Sequence, residues 1–571
     1  MYLHKSKQRN GRVYLSIAEN YRMDGKNKTR TVESLGYLDE LEGEWDDPVS
    51  HFEEVCAERN ARKAAAAQTV EVPMHPMRKI DMRAVNRKNV GCAVPLSVYD
   101  ALGIEKALRN HTAGSRAGYD INAVMRLLVV ERLLDPGSKL SAVANREGYF
   151  FKSDFTQDDA YRALDVLAAA RDKVISAMNR SIEKGFGRDT RNVFYDVTNY
   201  YFECDPDELR RKGVSKESRP NPIVQMGLLQ DADAVPITYR LFPGNTNDCQ
   251  TMLPVLADMK RDLSLSTVTV VADKGLNSSA NMAALVASGD GFVFSQSIRG
   301  TKSERALRAR VLEDAGYEGN AEGTFKKKSW QGHKTVHLKA EDTASGRAED
   351  VVLDAKYVAF WSAKYADRAR FEREKTLARA RELVENPGAY SRQTHFGAAK
   401  YVRGIDFDKD TGEILDAGKA RELDLAAIEE DAAADGYYLI VTSRTGWTDD
   451  EIIDAYRGLW QIEESFRVAK SDIEARPVYV RTPAHIEAHF LTCYVALAIL
   501  RLLQKICPGR PSAARITEDL GKVSCSRMAD NWWLFDYRSE LTQDLFDAVG
   551  LEHPTSCMTT AQIRSLAKRR R

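Results

Sequence analysis

Asp196 stands in the middle of a run, RNVFYDVTNYYFECD (191–205), whose other residues are those of a buried strand. Val193, Tyr195 and Val197 alternate with Phe194, Asp196 and Thr198, so the carboxylate shares a strand face with an aromatic and a β-branched neighbour. Aspartate is disfavoured inside strands, and a buried carboxylate without a partner is costly. A chain that places one there is expected to make this strand central in a sheet and to supply it with a cation.

The segments that follow build that sheet. PIVQMGLLQ (222–230) and VPITYRLFPGN (235–245) read as two more strands joined by a turn at 231–233, which makes a meander. NDCQTMLPVLADMKRDL reads as a helix capped near Asn247 or Asp248. STVTVVADKGLNS (266–278) reads as a buried strand ending on Asp273, and GFVFSQSI (291–298) as another. The order is strand, strand, strand, helix, strand, helix, strand, with an acid on the first and fourth strands. That is the order of an α/β, RNase H-like core, with its first part at 191–298.

Residues 299–435 interrupt the core. They hold basic clusters (Lys302, Arg305, Arg308, Arg310 and FKKKSW), a charged helix SAKYADRARFEREKTLARARELVE stopped by Asn386-Pro387-Gly388, and a hairpin-like YVRGIDFDKDTGEILD. The stretch is too long and too patterned for a loop, so it is expected to be an inserted subdomain. GYYLIVTS (436–443) returns to the core, whose second part runs over 436–505.

That second part carries YRGLWQIEESFRVAK (456–470). On a uniform helix each residue turns about 100°, which places Tyr456, Trp460, Arg467 and Lys470 within about 60° of Glu463. Leu459, Ile462, Phe466, Ala469 and Ile473 form the adjacent apolar stripe. One helix is therefore expected, docked by one face and carrying a carboxylate, two cations and two aromatics along the edge of that face. A charge at the margin of a buried face invites a ligand.

The flanking regions are plainer. At 1–90, Val13, Leu15 and Ile17 alternate ahead of Asp24-Gly25 and Thr31-Val32, which reads as a β-hairpin followed by a connector with one short helix. Residues 91–190 read as a helical, DNA-binding domain, with INAVMRLLVVERLL (121–134) ending at Asp135-Pro136-Gly137 and a Thr-capped helix over TQDDAYRALDVLAAARD. Residues 506–571 read as a helical region with a disordered basic tail, KRRR. Lys+Arg and Asp+Glu both number 83, so any affinity for nucleic acid has to come from local clusters rather than net charge. The eight cysteines form no C-x-x-C pair, so zinc-knuckle and redox motifs are excluded, and reduced thiols in a cytoplasmic protein are expected. IEAHFLTCYVALAILRLLQ (486–504) contains Glu487, His489 and Arg501 and is expected to be a buried helix, with His485 and His489 as core histidines.

Asp196, Asp273 and Glu463 together have the chemistry of a hard-metal site. In the expected fold the two strands set the aspartates side by side, and the helix carries Glu463 over them. Three oxygen ligands with open positions suit Mg²⁺, with Mn²⁺ as a substitute. The same residues carry a resemblance. YDVTNYYFE around Asp196, VVADKGLNS around Asp273 and the spacing Tyr456–Glu463–Lys470 resemble the DDE transposases of bacterial insertion sequences, in the insertion-sequence-four group with its YREK signature. Trp460-Gln461-Ile462-Glu463 fits the same pattern, whereas Leu459 stands where that signature has arginine.

The resemblance implies two-metal cleavage and strand transfer at insertion-sequence ends, in a cut-and-paste reaction. It makes Asp196, Asp273 and Glu463 both catalytic and metal-binding, and it turns Tyr456, Trp460, Arg467 and Lys470 toward DNA. The implied partners are terminal inverted repeats, target DNA and a second copy of the chain, in a bacterial cytoplasm and with the nucleoid when DNA is bound. The alternatives from other classes are a transposase-derived DNA-binding protein that no longer cuts and an RNase H-like nuclease without strand transfer.

Overall fold

A computed structural model describes residues 1–8, 11–23, 26–67, 84–114, 118–213, 221–263, 267–299, 305–343, 345–385, 397–403, 422–528 and 531–566. The chain divides into two compact units, one of 1–82 with 528–530 and one of 83–527 with 531–571.

In the first unit, alternation builds an antiparallel sheet in the order β1 (Tyr2–Lys7), β2 (Val13–Met23), β3 (Lys26–Tyr37). Leu15 and Ile17 are buried as their alternation requires. The expected hairpin is thus present with a third strand on its edge, while the Asp24-Gly25 tip lies outside the described residues. The connector is not a short helix: α1 spans Pro48–Ala67. Its start is capped by a side chain. The Asp47 carboxylate accepts the amides of Val49 and Ser50, each at 3.1 Å, and Pro48 takes the first helical position.

The second unit begins with β4 (Arg87–Asn89) and the helices α2 (Ala93–Ala101), α3 (Ile104–His111), α4 (Ile121–Leu134), α5 (Lys139–Asn145) and α6 (Gln157–Phe186). The α6 start is the Thr-capped one expected, with a capping box between Thr156 and Asp159. There follow β5 (Asn192–Tyr201), β6 (Ile223–Gln230), β7 (Pro236–Pro243), α7 (Met252–Leu263), β8 (Thr269–Ala272), α8 (Ser279–Ala287) and β9 (Gly291–Gln296). The interrupting segment supplies α9 (Arg305–Leu312), β10 (Glu318–Gly319), β11 (Phe325–Leu338), β12 (Glu349–Ser362) and the charged helix α10 (Ala363–Glu385) before the chain returns to the core through β13 (Tyr437–Thr442). Asn386-Pro387-Gly388, Lys302, most of the hairpin-like 401–416 stretch and the KRRR tail lie outside the described residues.

These strands form one nine-stranded sheet in the order β10-β11-β12-β13-β9-β8-β5-β6-β7. β5, β6 and β7 are antiparallel neighbours, and β8 and β9 run parallel to β5. The inserted strands therefore extend the core sheet through the antiparallel β12–β13 pair rather than standing apart from it. Side-chain alternation sorts the sheet into two faces. Val193, Tyr195 and Val197 pack with α7 on one side, whereas Phe194 and Tyr200 pack with helices on the other.

That second face is covered by α11 (Asp449–Arg457), α12 (Trp460–Arg467) and α13 (Pro483–Ile506). In α13, 94% of the apolar window is buried, so it is a core helix. Its cluster is continuous with α2, α4 and α6, so the helices of 91–190 pack against α13. The region after 506 is not purely helical. The strands Ser524–Arg527, Trp532–Phe535 and Cys557–Thr559 join β4 in a four-stranded sheet, and Phe150 meets Trp533 edge-on at 5.0 Å. Strands of three or four residues are too short to leave a readable period.

Candidate active site

The placement of Asp196 and Asp273 follows from strand register. β5 and β8 pair in parallel, with Asn192 opposite Thr269, Val193 opposite Val270 and Phe194 opposite Val271. The observed pairs stop there; continued two residues further, the same register would bring Asp196 opposite Asp273, which follows the end of β8. Alternation then fixes the face. Phe194 and Val271 belong to the cluster under α11, α12 and α13, and each aspartate lies two residues beyond one of them. Asp196 is half-buried within β5, and Asp273 is exposed immediately after β8.

Asp273 is held by hydroxyls. Its Oδ1 accepts from Ser295 Oγ at 2.7 Å and faces the Tyr456 hydroxyl at 3.4 Å, the outer limit of a hydrogen bond. Burial, together with the negative charge of Asp273, pushes the Tyr456 phenol well above its ordinary value, so it remains a donor. Tyr456 was expected to face DNA; its hydroxyl also ties α11 to the second aspartate.

Glu463 does not lie on the single helix expected over 456–470. α11 ends at Arg457, α12 begins at Trp460, and a π turn runs over Val468–Asp472. Between the helices the ladder tightens. The amides of Leu459, Gln461 and Ile462 bond the carbonyls of Tyr456, Gly458 and Leu459 at 3.1, 3.0 and 3.1 Å. A turn of that kind advances each residue by about 120° rather than 100°, so the uniform-helix phase does not carry across it. The turn is closely packed. A Cβ added at Gly458 would lie 2.5 Å from Cζ and 2.7 Å from Cε1 of Phe194, two residues before Asp196 on the same face.

Buried polar groups fix the roll of α12. Ser465 Oγ donates to Gln230 Oε1 and accepts from Arg501 Nη2, both at 2.8 Å. Ile462 and Phe466 face the core beside Ser465, and Glu463 is exposed. Among the described residues no three His, Cys, Asp or Glu side chains stand close enough together to hold a metal ion. Asp196, Asp273 and Glu463 have the donor type a hard cation takes, but they are not gathered into a three-carboxylate cluster.

The remaining expected residues are spread along the same stretch. Trp460 is 62% exposed, so it is not packed in the core. Lys470, in the π turn, lies with Nζ 5.6 Å from the Tyr200 ring centre. Arg467 makes two 2.7 Å bonds to Glu464 and a 3.3 Å pair with Asp472. Of the two arginines nearest Leu459, Arg467 is engaged as described, and Arg457 lies over the Phe325 ring at 5.2 Å. His489 is buried, accepting from Lys139 Nζ at 3.0 Å through Nδ1 and donating through Nε2 to the Ala475 carbonyl at 2.8 Å. His485 pairs with Asp165 at 3.4 Å.

Sequence reasoning missed Ser295, Gly458 and the Gln230–Ser465–Arg501 network. A glycine inside a helical pattern was a signal for Gly458. The other residues gave none.

Comparison with known families adds two matches. Residues 3–70 match the IS1634 family transposase, N-terminal domain, and residues 218–499 match the transposase DDE domain. The second match contains Asp273 and Glu463 and begins after Asp196. No curated protein is similar enough to the chain to be matched.

Proposed function

Because the chain belongs to the DDE transposases, with an N-terminal domain of the IS1634 family, its function is DNA transposition, and we propose that Asp196, Asp273 and Glu463 are its catalytic carboxylates. What supports this assignment is the parallel β5–β8 register, whose last pair, Phe194 and Val271, lies two residues before each aspartate on the face where α11 and α12 are seated. A DDE transposase domain implies an RNase H-like core, and the order β7-β6-β5-β8-β9 accommodates one.

DDE transposases generally use divalent metal ions. Mg²⁺, with Mn²⁺ substituting, is the cation these oxygen donors favour. Bound there, it would supply charge neutralisation at the scissile phosphate and activate the attacking hydroxyl. Asp196 and Asp273 would hold it from the sheet, and Glu463 from α12. Lys470 would contact a phosphate as a point charge. Trp460, exposed at the start of α12, would stack on an unpaired base. Arg467 has two carboxylate partners, so it braces the end of α12 before it offers charge to DNA.

The finer placement, in the insertion-sequence-four-like group, rests on the spacing of Tyr456, Glu463 and Lys470. Cut-and-paste chemistry at terminal inverted repeats, a homodimer that pairs two ends, and a cytoplasmic setting belong to the same proposal.

One observation favours a second assignment. Glu463 is not gathered with the aspartates, as befits a transposase-derived protein that binds DNA without cutting it. A strand-cleavage assay on DNA carrying the element's ends decides between them. The first assignment predicts nicks in Mg²⁺ or Mn²⁺ that disappear with a chelator, followed by joining of the freed 3′ ends. A mobility shift with no nick in either metal would establish the second, and nicking without joining of supplied pre-cut ends would identify a nuclease.

A further inference from the structure

Asp273 occupies the N-cap position of the short turn Lys274–Leu276, with extended backbone angles of φ −81° and ψ 170°. Aspartate at such a position ordinarily accepts an amide of its own turn. Here the side chain makes no capping bond. Its Oδ1 instead takes the Ser295 hydroxyl from β9 at 2.7 Å, with the Tyr456 hydroxyl at 3.4 Å. Both donors converge on one oxygen, and Oδ2 has no hydrogen bond among the described residues.

Ser295 is itself fixed. It is 6% exposed, and its carbonyl accepts from Asn277 Nδ2 at 2.8 Å. The same Asn277 amide reaches Gln296 Oε1 at 3.2 Å, which Lys334 Nζ approaches at 3.3 Å. The turn after β8 is thus tied to β9 twice, once through the serine hydroxyl to Asp273 and once through the serine carbonyl from Asn277. A bond from a hydroxyl to an ionised carboxylate is short and strong, so it selects one rotamer of the acid.

We propose that Ser295 is a positioning residue for DNA cleavage: its hydroxyl holds Oδ1 of Asp273, so that Oδ2 is the oxygen presented to a divalent cation. This rests on the assignment of Asp273 as a metal ligand. Groups that orient a metal ligand typically change metal affinity by about 10- to 100-fold when removed.

The test measures Mn²⁺ binding to the full-length protein by electron paramagnetic resonance of the free ion, beside thermal unfolding in the absence of metal. Ser295→Ala is expected to weaken Mn²⁺ binding about tenfold, the low end of that range, without lowering the metal-free melting temperature. Ser295→Thr keeps the hydroxyl and is expected to bind as the wild type does. Ser295→Cys keeps the volume with a weak donor and is expected to bind less tightly, which covers the case of an alanine variant that does not fold. Asp273→Asn separates the two ways to fail. If it abolishes binding while Ser295→Ala and Ser295→Cys bind normally, the positioning role is overturned and the metal site stands. If Asp273→Asn binds Mn²⁺ as tightly as the wild type, the ligand assignment itself falls, and the role of Ser295 with it.

Discussion

The two aspartates and the glutamate stand on different kinds of element. Asp196 lies within β5 and Asp273 directly after β8, two strands in parallel register, and Ser295 braces the second. Glu463 is set by a helix that is tightened at Gly458, loosened into a π turn at Val468–Asp472 and anchored underneath by Gln230, Ser465 and Arg501. Strand register is all-or-none, because a slip of one residue turns every side chain to the other face. Helix seating is graded, since a small change in packing moves the carboxylate by a fraction of a turn. The strand side should therefore tolerate changes in its surroundings that the helix side does not.

The largest effect is expected at the strand acids. Asp196→Asn and Asp273→Asn should each reduce metal-dependent nicking by at least about three orders of magnitude, as loss of a member of a catalytic set does, with DNA binding retained in a mobility-shift assay. Appreciable nicking by either variant would remove the strand acids from the chemistry and with them the basis of the comparison.

Gly458→Ala comes next and probes the helix side alone. The added methyl has to displace the Phe194 ring or lift α12 from β5. Overpacking of this kind costs about 1–3 kcal/mol in an unfolding titration. A displacement of about 1 Å can cost about 100-fold in rate. A variant that loses stability but keeps its nicking rate would show that Glu463 is not held by this contact.

These substitutions also separate what was legible in the sequence from what was not. The alternation of Val193, Tyr195 and Val197 against Phe194, Asp196 and Thr198 was readable because a strand period of two admits only two faces, and the structure divides those residues accordingly. The apolar stripe of Ile462 and Phe466 was readable in the same way. The break at Gly458 was not, because a uniform turn per residue does not hold across a position where the ladder tightens beside Phe194. Ser295 was invisible because its partner comes from the neighbouring strand, and a serine in a strand is unremarkable by itself. The length of α1 was missed at its Asp47-Pro48 cap, and the terminal strands were missed because they are so short.

Lys139 gives a smaller and pH-dependent test of the helix side. Its ammonium is buried beside His489, which holds the Ala475 carbonyl in the turn that follows the π segment, while Arg132 bonds the Glu474 carbonyl at 2.8 Å. Burial, reinforced by the positive charge of Arg132, pushes Lys139 from its ordinary 10.5 down to about 7. A lysine with a lowered folded-state value binds its proton more weakly when folded, so its contribution to stability improves as pH rises from about 7 to 10.5 and is worst below that window. The stability of Lys139→Met relative to the wild type, followed by urea titration, should therefore be highest at and below pH 7 and fall steadily toward pH 10. A difference that does not change with pH would mean that the lysine keeps its charge in the fold.

The smallest expected effect on stability is at Trp460. With 62% of its surface exposed, Trp460→Ala should change the unfolding free energy by no more than about 0.5 kcal/mol. It should still weaken binding to DNA with unpaired bases at the cut site, by about 1–3 kcal/mol for a lost stacking contact. Equal affinity of wild type and variant for such DNA would leave the exposed indole without a role in the site.

The most direct test asks whether the strand acids and the helix acid meet at one metal. Fe²⁺ bound in place of Mg²⁺ on the full-length protein with end DNA, in the presence of ascorbate and peroxide, cuts the polypeptide next to the ion. The predicted cuts fall near Asp196, Asp273 and Glu463 together, and Mg²⁺ competes all three away. Cuts near the two aspartates with none near Glu463, or cuts elsewhere in the chain, would contradict a three-carboxylate site.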